Sequence, residues 1–374
     1  MKKMKILKFL AVTLLLFSLF AIPAAAEDKN GAAEFMEGAN ILEGASDGTK
    51  TVLDQFEIDG WSFESILKLS PGKLIAMIFE NIAKMARLPL VTLLLICGVI
   101  VVTNFINGAS YDNNMSVSGT SKLVCVLVCS TAIINPAINA IKSLSSAIYE
   151  CGNFLTAFTP AFVSVVTTMG KPVTGGVISG LLFFLAQFIT NISSSFIVPL
   201  LFIFLSLSIA STLSQNINLD GLIKILSKAI KWMLGLFTSI FTGILTLQTI
   251  ISDSVDSTAT RALKYAAASY IPIVGGAIAE SINTTFGALS LLKNTVGIIG
   301  IIILLAILFI PVLQSAVWLI SFKLAGAAAE ILGAAEIEKI LKAVCDTITI
   351  ILAITVTVFI MIVFCVTFIT VVVK

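Results

Sequence analysis

The chain has no histidine at any of its 374 positions. That absence removes Ser-His-Asp and Cys-His nucleophilic centres, HExxH zinc sites and the usual proton shuttle at physiological pH. A GxxxxGK(S/T) phosphate loop is also missing, so ATP hydrolysis by the familiar route is excluded and any energy input has to come from a partner or a gradient. Charge is scarce: 12% of residues are Asp, Glu, Lys or Arg, against about 25% in soluble domains. The net charge is only +2 and the basic residues are scattered, which leaves no electrostatic footprint for nucleic acid. With 58% hydrophobic residues and a mean hydropathy of +1.07, the main solvent of this chain is lipid.

Cysteine is sparse and badly placed for chemistry. Cys97, Cys125, Cys129, Cys151, Cys345 and Cys365 all lie within or at the ends of apolar segments, which argues against a disulfide framework or a CxxC metal site. Cys125 and Cys129 share a helix face and read as apolar filler. No cofactor, metal or catalytic residue is expected, and the chain reads as a non-enzyme.

What the sequence does contain is apolar length. A bilayer core of roughly 30 Å needs about 20 apolar residues as helix. Leu88–Ile106, Leu123–Ile141, Met233–Ile251, Val296–Ile320 and Thr347–Val373 carry no charge at all. Residues 173–213 add 41 uncharged positions, roughly 60 Å as helix, enough for two crossings, whereas a repeat would rather divide 154–212 into one broken helix and one long one. The fold class is therefore an all-α polytopic membrane protein of about eight transmembrane helices, with seven to nine as the range. Lysine and arginine counts are nearly even on the two sides, so the side of the C-terminus stays open.

Ahead of the membrane region, residues 1–26 read as a secretory signal, with Lys2, Lys3, Lys5 and Lys8, an apolar run from Phe9 to Ile22, and Ala24-Ala25-Ala26 before Glu27. An uncleaved signal anchor would expose the same side. Residues 27–71 form an acidic extracytoplasmic region: ten of the chain's 21 acids fall between 27 and 70. It is too small to bury a core alone. Leu53–Leu69 reads as short helical pieces resting on the membrane or a partner, with Trp61 and Phe63 as interfacial anchors; a solvated tether is the alternative.

The polytopic domain spans 72–374. In it, Leu74, Ile75, Ile78, Ile82 and Met85 recur at helical spacing opposite Lys73, Glu80, Lys84 and Arg87, the pattern of an interfacial helix feeding the Leu88 span. The same grammar recurs over Leu219–Lys231 and Ile337–Val344. Pro160 and Pro272 lie 112 residues apart, as do Pro199 and Pro311, which suggests a duplication with halves 154–251 and 266–373. Gly176 with Gly180, and Gly235, Ser239 and Gly243, stand at four-residue spacing and suit close helix approach, within the chain or between copies.

Glu280 is the one acid inside a predicted span, with Asn283 one turn later. An intramembrane carboxylate faces a bundle interior, a basic partner or water. Three roles stand open for it: pairing with Arg261, Lys264 or Lys293, lining a hydrated pathway, or proton coupling. Pro272, Gly275 and Gly276 weaken the helix ladder nearby, and Gly170, Lys171, Pro172, Gly175 and Gly176 do so in the first half. Paired breaks of this kind serve a pore or substrate site, or are hinges and close-packing points.

Ile271-Pro272-Ile273-Val274-Gly275, Glu280, and the block Ser290-Leu291-Leu292-Lys293-Asn294-Thr295-Val296-Gly297 resemble the signature of the stage III sporulation protein AE family of endospore-forming bacteria. Signal, acidic region, length and span pattern agree with it over essentially the whole chain. The resemblance implies a subunit of the channel that joins mother cell and forespore, inserted from the mother cell in the outer forespore membrane. It implies as partners the other stage III sporulation proteins, among them a cytoplasmic secretion-type ATPase and ring-forming components. Some members carry a second acid three residues after the first; Asn283 stands here instead, which speaks against a two-carboxylate ion site. A self-sufficient secondary transporter for a small solute is the alternative reading, motivated by the repeat and the paired breaks.

Overall fold

The computed structural model describes residues 47–55, 71–109, 115–169, 171–213, 219, 221–233, 235–241, 243, 258 and 275–372. Among them every regular element is helical and no strand occurs. The signal at 1–26, Trp61, Phe63 and most of the run 244–274 lie outside the described residues.

Helix α1 (Asp47–Gln55) belongs to the acidic region, and α2 (Pro71–Met85) is the amphipathic helix expected before the first span. Helix α3 (Arg87–Ala109) follows α2 across a bend at Ala86. Pro89 explains the bend: it has no N–H to offer the Met85 carbonyl, so the ladder cannot run through, and a proline is tolerated in the first turn of the new helix. Bonds from Ala86 N to Ile82 O and from Leu90 N to Ala86 O flank the break.

The centre of the molecule is made of three very long helices. These are α4 (Met115–Thr168), α7 (Gly275–Ile331) and α8 (Ala335–Val372), of 54, 57 and 38 residues. At about 1.5 Å per residue α4 and α7 each exceed 80 Å, well beyond a bilayer core. Helix α4 packs on α3, α5, α7 and α8, and α7 packs on α8, α3, α2 and α1. Helices α5 (Pro172–Ile192) and α6 (Val198–Leu213) are joined by a π turn, Ser193–Ile197.

That junction corrects one expectation. The 41 uncharged residues at 173–213, long enough for two crossings, form one helical run with no side-by-side packing of α5 on α6. Pro199 supplies the reason for the π turn: it cannot bond to the Ser195 carbonyl, and a widened register just before it absorbs the misfit without reversing the chain. Among the described residues five helices are long and apolar enough to cross a membrane, and the longest apolar stretch within them is Val124–Thr168 at 45 residues. Counting crossings by length divides runs that the structure keeps whole. The expected span Met233–Ile251 lies largely outside the described residues.

The turn between α7 and α8 is short for a stated reason. Gly333 adopts φ +73°, where a side chain is strained, and Ala334 N bonds to Ala329 O while Gly333 N bonds to Glu330 O. This is a Schellman closure, which satisfies the last carbonyls of α7. Glu336 and Glu338 in the first turn of α8 complement its dipole. Ile337–Val344 is thus the start of α8, with Ile337, Ile340, Leu341 and Val344 buried in the core rather than lying on a membrane surface.

Several hydroxyl groups in the apolar helices are satisfied locally. Ser130, Thr159, Thr190, Ser208 and Thr355 each donate to the carbonyl four residues earlier, at 2.6 to 2.9 Å. Helix α1 is held by the protein itself: Thr49, Val52 and Leu53 are buried, and Thr49 Oγ1 donates to Glu150 Oε1 of α4 at 2.9 Å.

Of the duplicated prolines, Pro199 and Pro311 both sit inside long helical runs, and Pro272 lies outside the described residues. A shift of 112 residues sets the break at 169–171 against 281–283, where α7 is uninterrupted.

Candidate functional site

A polar layer, Lys293-Asn294-Thr295 of α7, interrupts the apolar core near one end of the bundle. Its centre is Lys293 of α7, whose side chain is 1% exposed and among the largest fully buried groups. Asn294 beside it is half-buried, and its Oδ1 has no hydrogen-bond partner among the described residues. Thr295 is buried, and so are Thr159 of α4, Lys171 in the α4–α5 turn and Thr174 of α5. Lys171, Thr174, Lys293 and Thr295 each engage a partner. An ammonium group taken out of water is costly unless paired, so the two buried lysines sit where apolar packing alone would not place them.

Glycine and phenylalanine set the height of this layer. Phe154, Phe158 and Phe162 stack along α4 with centroids 5.4 and 5.5 Å apart. Gly300 of α7 faces that ladder so closely that a Cβ there would lie 2.8 Å from the Phe158 ring. Helices α4 and α7 run antiparallel, because Cys125 reaches Val99 O of α3 near one end while Asn104 of α3 bonds Leu332 O. Lys293, seven residues before Gly300, therefore stands at the level of the last turns of α4, toward the Lys171 turn.

The expected site residues fall into three groups. Lys293 and Asn294 lie in the buried layer. Gly175 is buried at the start of α5, where a Cβ would come within 2.6 Å of Thr167 Cγ2; it is a close-packing glycine that lets α5 fold back on α4. Pro172 is the exposed first residue of α5, a position that needs no N–H, and Gly176 faces open space. Gly275 and Gly276 open α7, and Glu280 and Asn283 follow on its backbone, their side chains outside the described residues. Gly170 and Pro272 also lie outside them.

Two expectations need correction. Glu280 and Lys293 are 13 residues apart on one continuous helix, about 20 Å along its axis, so an ion pair between these two within one chain is ruled out, while Arg261 and Lys264 lie outside the described residues. The glycines chosen for close approach, Gly176, Gly180, Gly235 and Gly243, have nothing among the described residues within 4 Å of a Cβ. The intrachain contacts belong instead to Gly152 against Thr190 and Ala186, to Gly175, and to Gly300. Four-residue spacing identifies a small-residue face but not what it faces, and Gly152 and Gly300 carry no such spacing signal.

No group of three or more His, Cys, Asp or Glu side chains fit for a metal occurs among the described residues. Cys125, Cys129, Cys151 and Cys345 are free and buried, out of reach of a soluble substrate. A helical bundle with apolar outer faces and five helices long and apolar enough to cross a membrane is the build of a membrane protein.

Residues 50–373 match the family model of stage III sporulation protein AE. A relative with that printed name from Bacillus subtilis (strain 168) is 25% identical over 280 residues, covering 75% of this chain and 69% of its own. The chain belongs to the stage III sporulation protein AE family. No solved structure matches it.

Proposed function

We propose that the chain is a non-enzymatic membrane subunit of the sporulation channel between mother cell and forespore, seated in the mother-cell-derived outer forespore membrane. The carrying observation is that the family match runs through every described long helix, the Lys293-Asn294-Thr295 layer included. With no phosphate loop in the sequence, its energy comes from the partners: a cytoplasmic ATPase and ring-forming components of the same stage III set. The chain's own task is to hold a stable, mostly apolar bundle whose buried ammonium groups fix helix register or contact the passage. Charges retained in a membrane interior at high cost serve such roles.

The test is genetic. Deleting the gene in its host is expected to stop forespore gene expression after engulfment, while engulfment itself proceeds. Normal late expression in the deletion strain would refute the proposal. Lys293→Met keeps the side-chain volume and removes the charge; it is expected to accumulate in the membrane yet fail to restore sporulation. Solute uptake by the purified chain alone in liposomes would point instead to a self-sufficient transporter.

A further inference from the structure

Helix α3 and the hairpin of α7 and α8 share one depth but not one kind of surface. Asn104 Nδ2 donates to Leu332 O at 2.5 Å, which pins the hairpin tip near the Ile106 end of the uncharged span Leu88–Ile106. From that tip α7 leads back to Gly300, which lies against Phe158 of α4, and α4 leads to the same place from Cys125 beside Val99 O. Both arms of the hairpin therefore run back along α3 toward Leu88, and α7 packs on α3 as it does so.

The outer surface of α3 is that of a lipid-facing helix. Leu88, Leu94, Val101, Val102 and Phe105 are each more than half exposed, with no charge among them. Val124 and Leu127 extend the same surface onto the first half of α4. Helix α8 presents the opposite. Ile337, Ile340, Leu341, Val344 and Ile348 are its buried face, and Glu336, Lys339, Lys342 and Asp346, at three- and four-residue spacing, are its exposed one. No large apolar side chain of α8 is exposed before Phe364 among the described residues. Lys323 of α7 is exposed as well, and no ion pair joins these five charges to one another or to other described residues.

Depth decides what these charges face. At about 1.5 Å per residue, Lys342 stands about 10 Å from the hairpin tip, Lys323 about 14 Å and Asp346 about 16 Å, while Leu88 stands about 24 Å from Asn104. The three charges thus lie well inside the α3 span and not at its end. A lysine close to a span end can snorkel to the surface, whereas these stand near the middle, and the short side chain of Asp346 has no such reach. Against lipid each would be costly, and charges kept at this depth border water.

We propose that Glu336, Lys339, Lys342 and Asp346 of α8, with Lys323 of α7, front a water-filled passage at the bilayer depth where α3 faces lipid. Pores are lined by charged side chains in this way. Both signs are present, so the occupant is water with hydrated solutes of either charge. The face rests on the channel reading for its purpose but not for its hydration, which is read on the protein itself and not in the deletion strain.

The experiment uses the full chain in liposomes, with a genetically encoded fluorescent amino acid in place of Lys342, Asp346, Leu94 or Val101, one at a time. Emission is quenched either by iodide in the water or by bromine carried on the lipid acyl chains. At 342 and 346 iodide is expected to quench and brominated lipid to leave the emission unchanged; at 94 and 101 the order reverses. Should replacement at 342 or 346 prevent folding, the probe in place of Lys339 carries the same expectation. Quenching of the α8 positions by brominated lipid overturns the proposal, and so does protection from both quenchers, which means that a polypeptide covers the face. Iodide quenching at 94 and 101 overturns it as well, because α3 then lies outside the bilayer.

Discussion

A methyl group added at Gly300 tests the packing of α7 on α4. The new Cβ would stand 2.8 and 2.9 Å from two Phe158 ring atoms, where ordinary contact begins near 3.4 Å. A ring can often turn aside, but Phe158 is fully buried and stacked between Phe154 and Phe162. Overpacking of this kind costs about 1 to 3 kcal/mol. Replacing glycine by alanine in a helix returns about 1 kcal/mol. Gly300→Ala is therefore expected to be destabilised by about 1 kcal/mol net. Gly176→Ala, the same change where nothing lies within 4 Å, gains the helix term alone and is expected to be stabilised by about 1 kcal/mol. Unfolding of the detergent-solubilised chain, followed by circular dichroism, compares them under one condition. Phe158→Leu frees the space that the methyl group needs, so the double variant should be less destabilised than the sum by about 1 to 3 kcal/mol. Equal stability of Gly300→Ala and Gly176→Ala, with no coupling to Phe158, would refute the contact.

Thr49→Val removes the donor to Glu150 and is expected to loosen α1 by about 1.5 to 3 kcal/mol, read as faster amide exchange at 47–55 with the rest of the bundle unchanged. The Glu80 carboxyl, in the exposed pair with Lys84 at 2.8 Å, is held below the usual glutamate range by that hydrogen bond first and by the lysine charge second. Its small contribution to α2 is present above the ordinary carboxylate pKa and lost as pH falls through the lowered one; a titration midpoint at or above the free value contradicts this. Cys125, Cys129, Cys151 and Cys345 are buried and Cys97 half-buried, so a membrane-permeant maleimide should label Cys97 ahead of those four, which react only on unfolding. Gly152→Ala meets the Thr190 side chain and the Ala186 carbonyl, a backbone atom that cannot turn away, and should be less stable than Gly300→Ala in the same assay.

The solvent of this chain was legible from composition, because a chain with so few charges and such long uncharged runs has no other environment that offsets burying its side chains. Helix type followed, since backbone groups in lipid need partners within the same segment. The block around Lys293 was legible as a sequence pattern, and Pro89, Pro172 and Gly333 mark breaks by local rules that act within one turn. Where the uncharged runs reverse was not legible: Pro199 can end a helix or be absorbed in a π turn, and only packing on α4 and α8 selects the second. Nor does spacing tell a glycine that faces a ring from one that faces lipid. Gly300 and Gly176 differ by what α4 brings opposite them. The burial of Lys293 is likewise a tertiary fact, for no local property of Ser290–Gly297 encodes which helices pack over it.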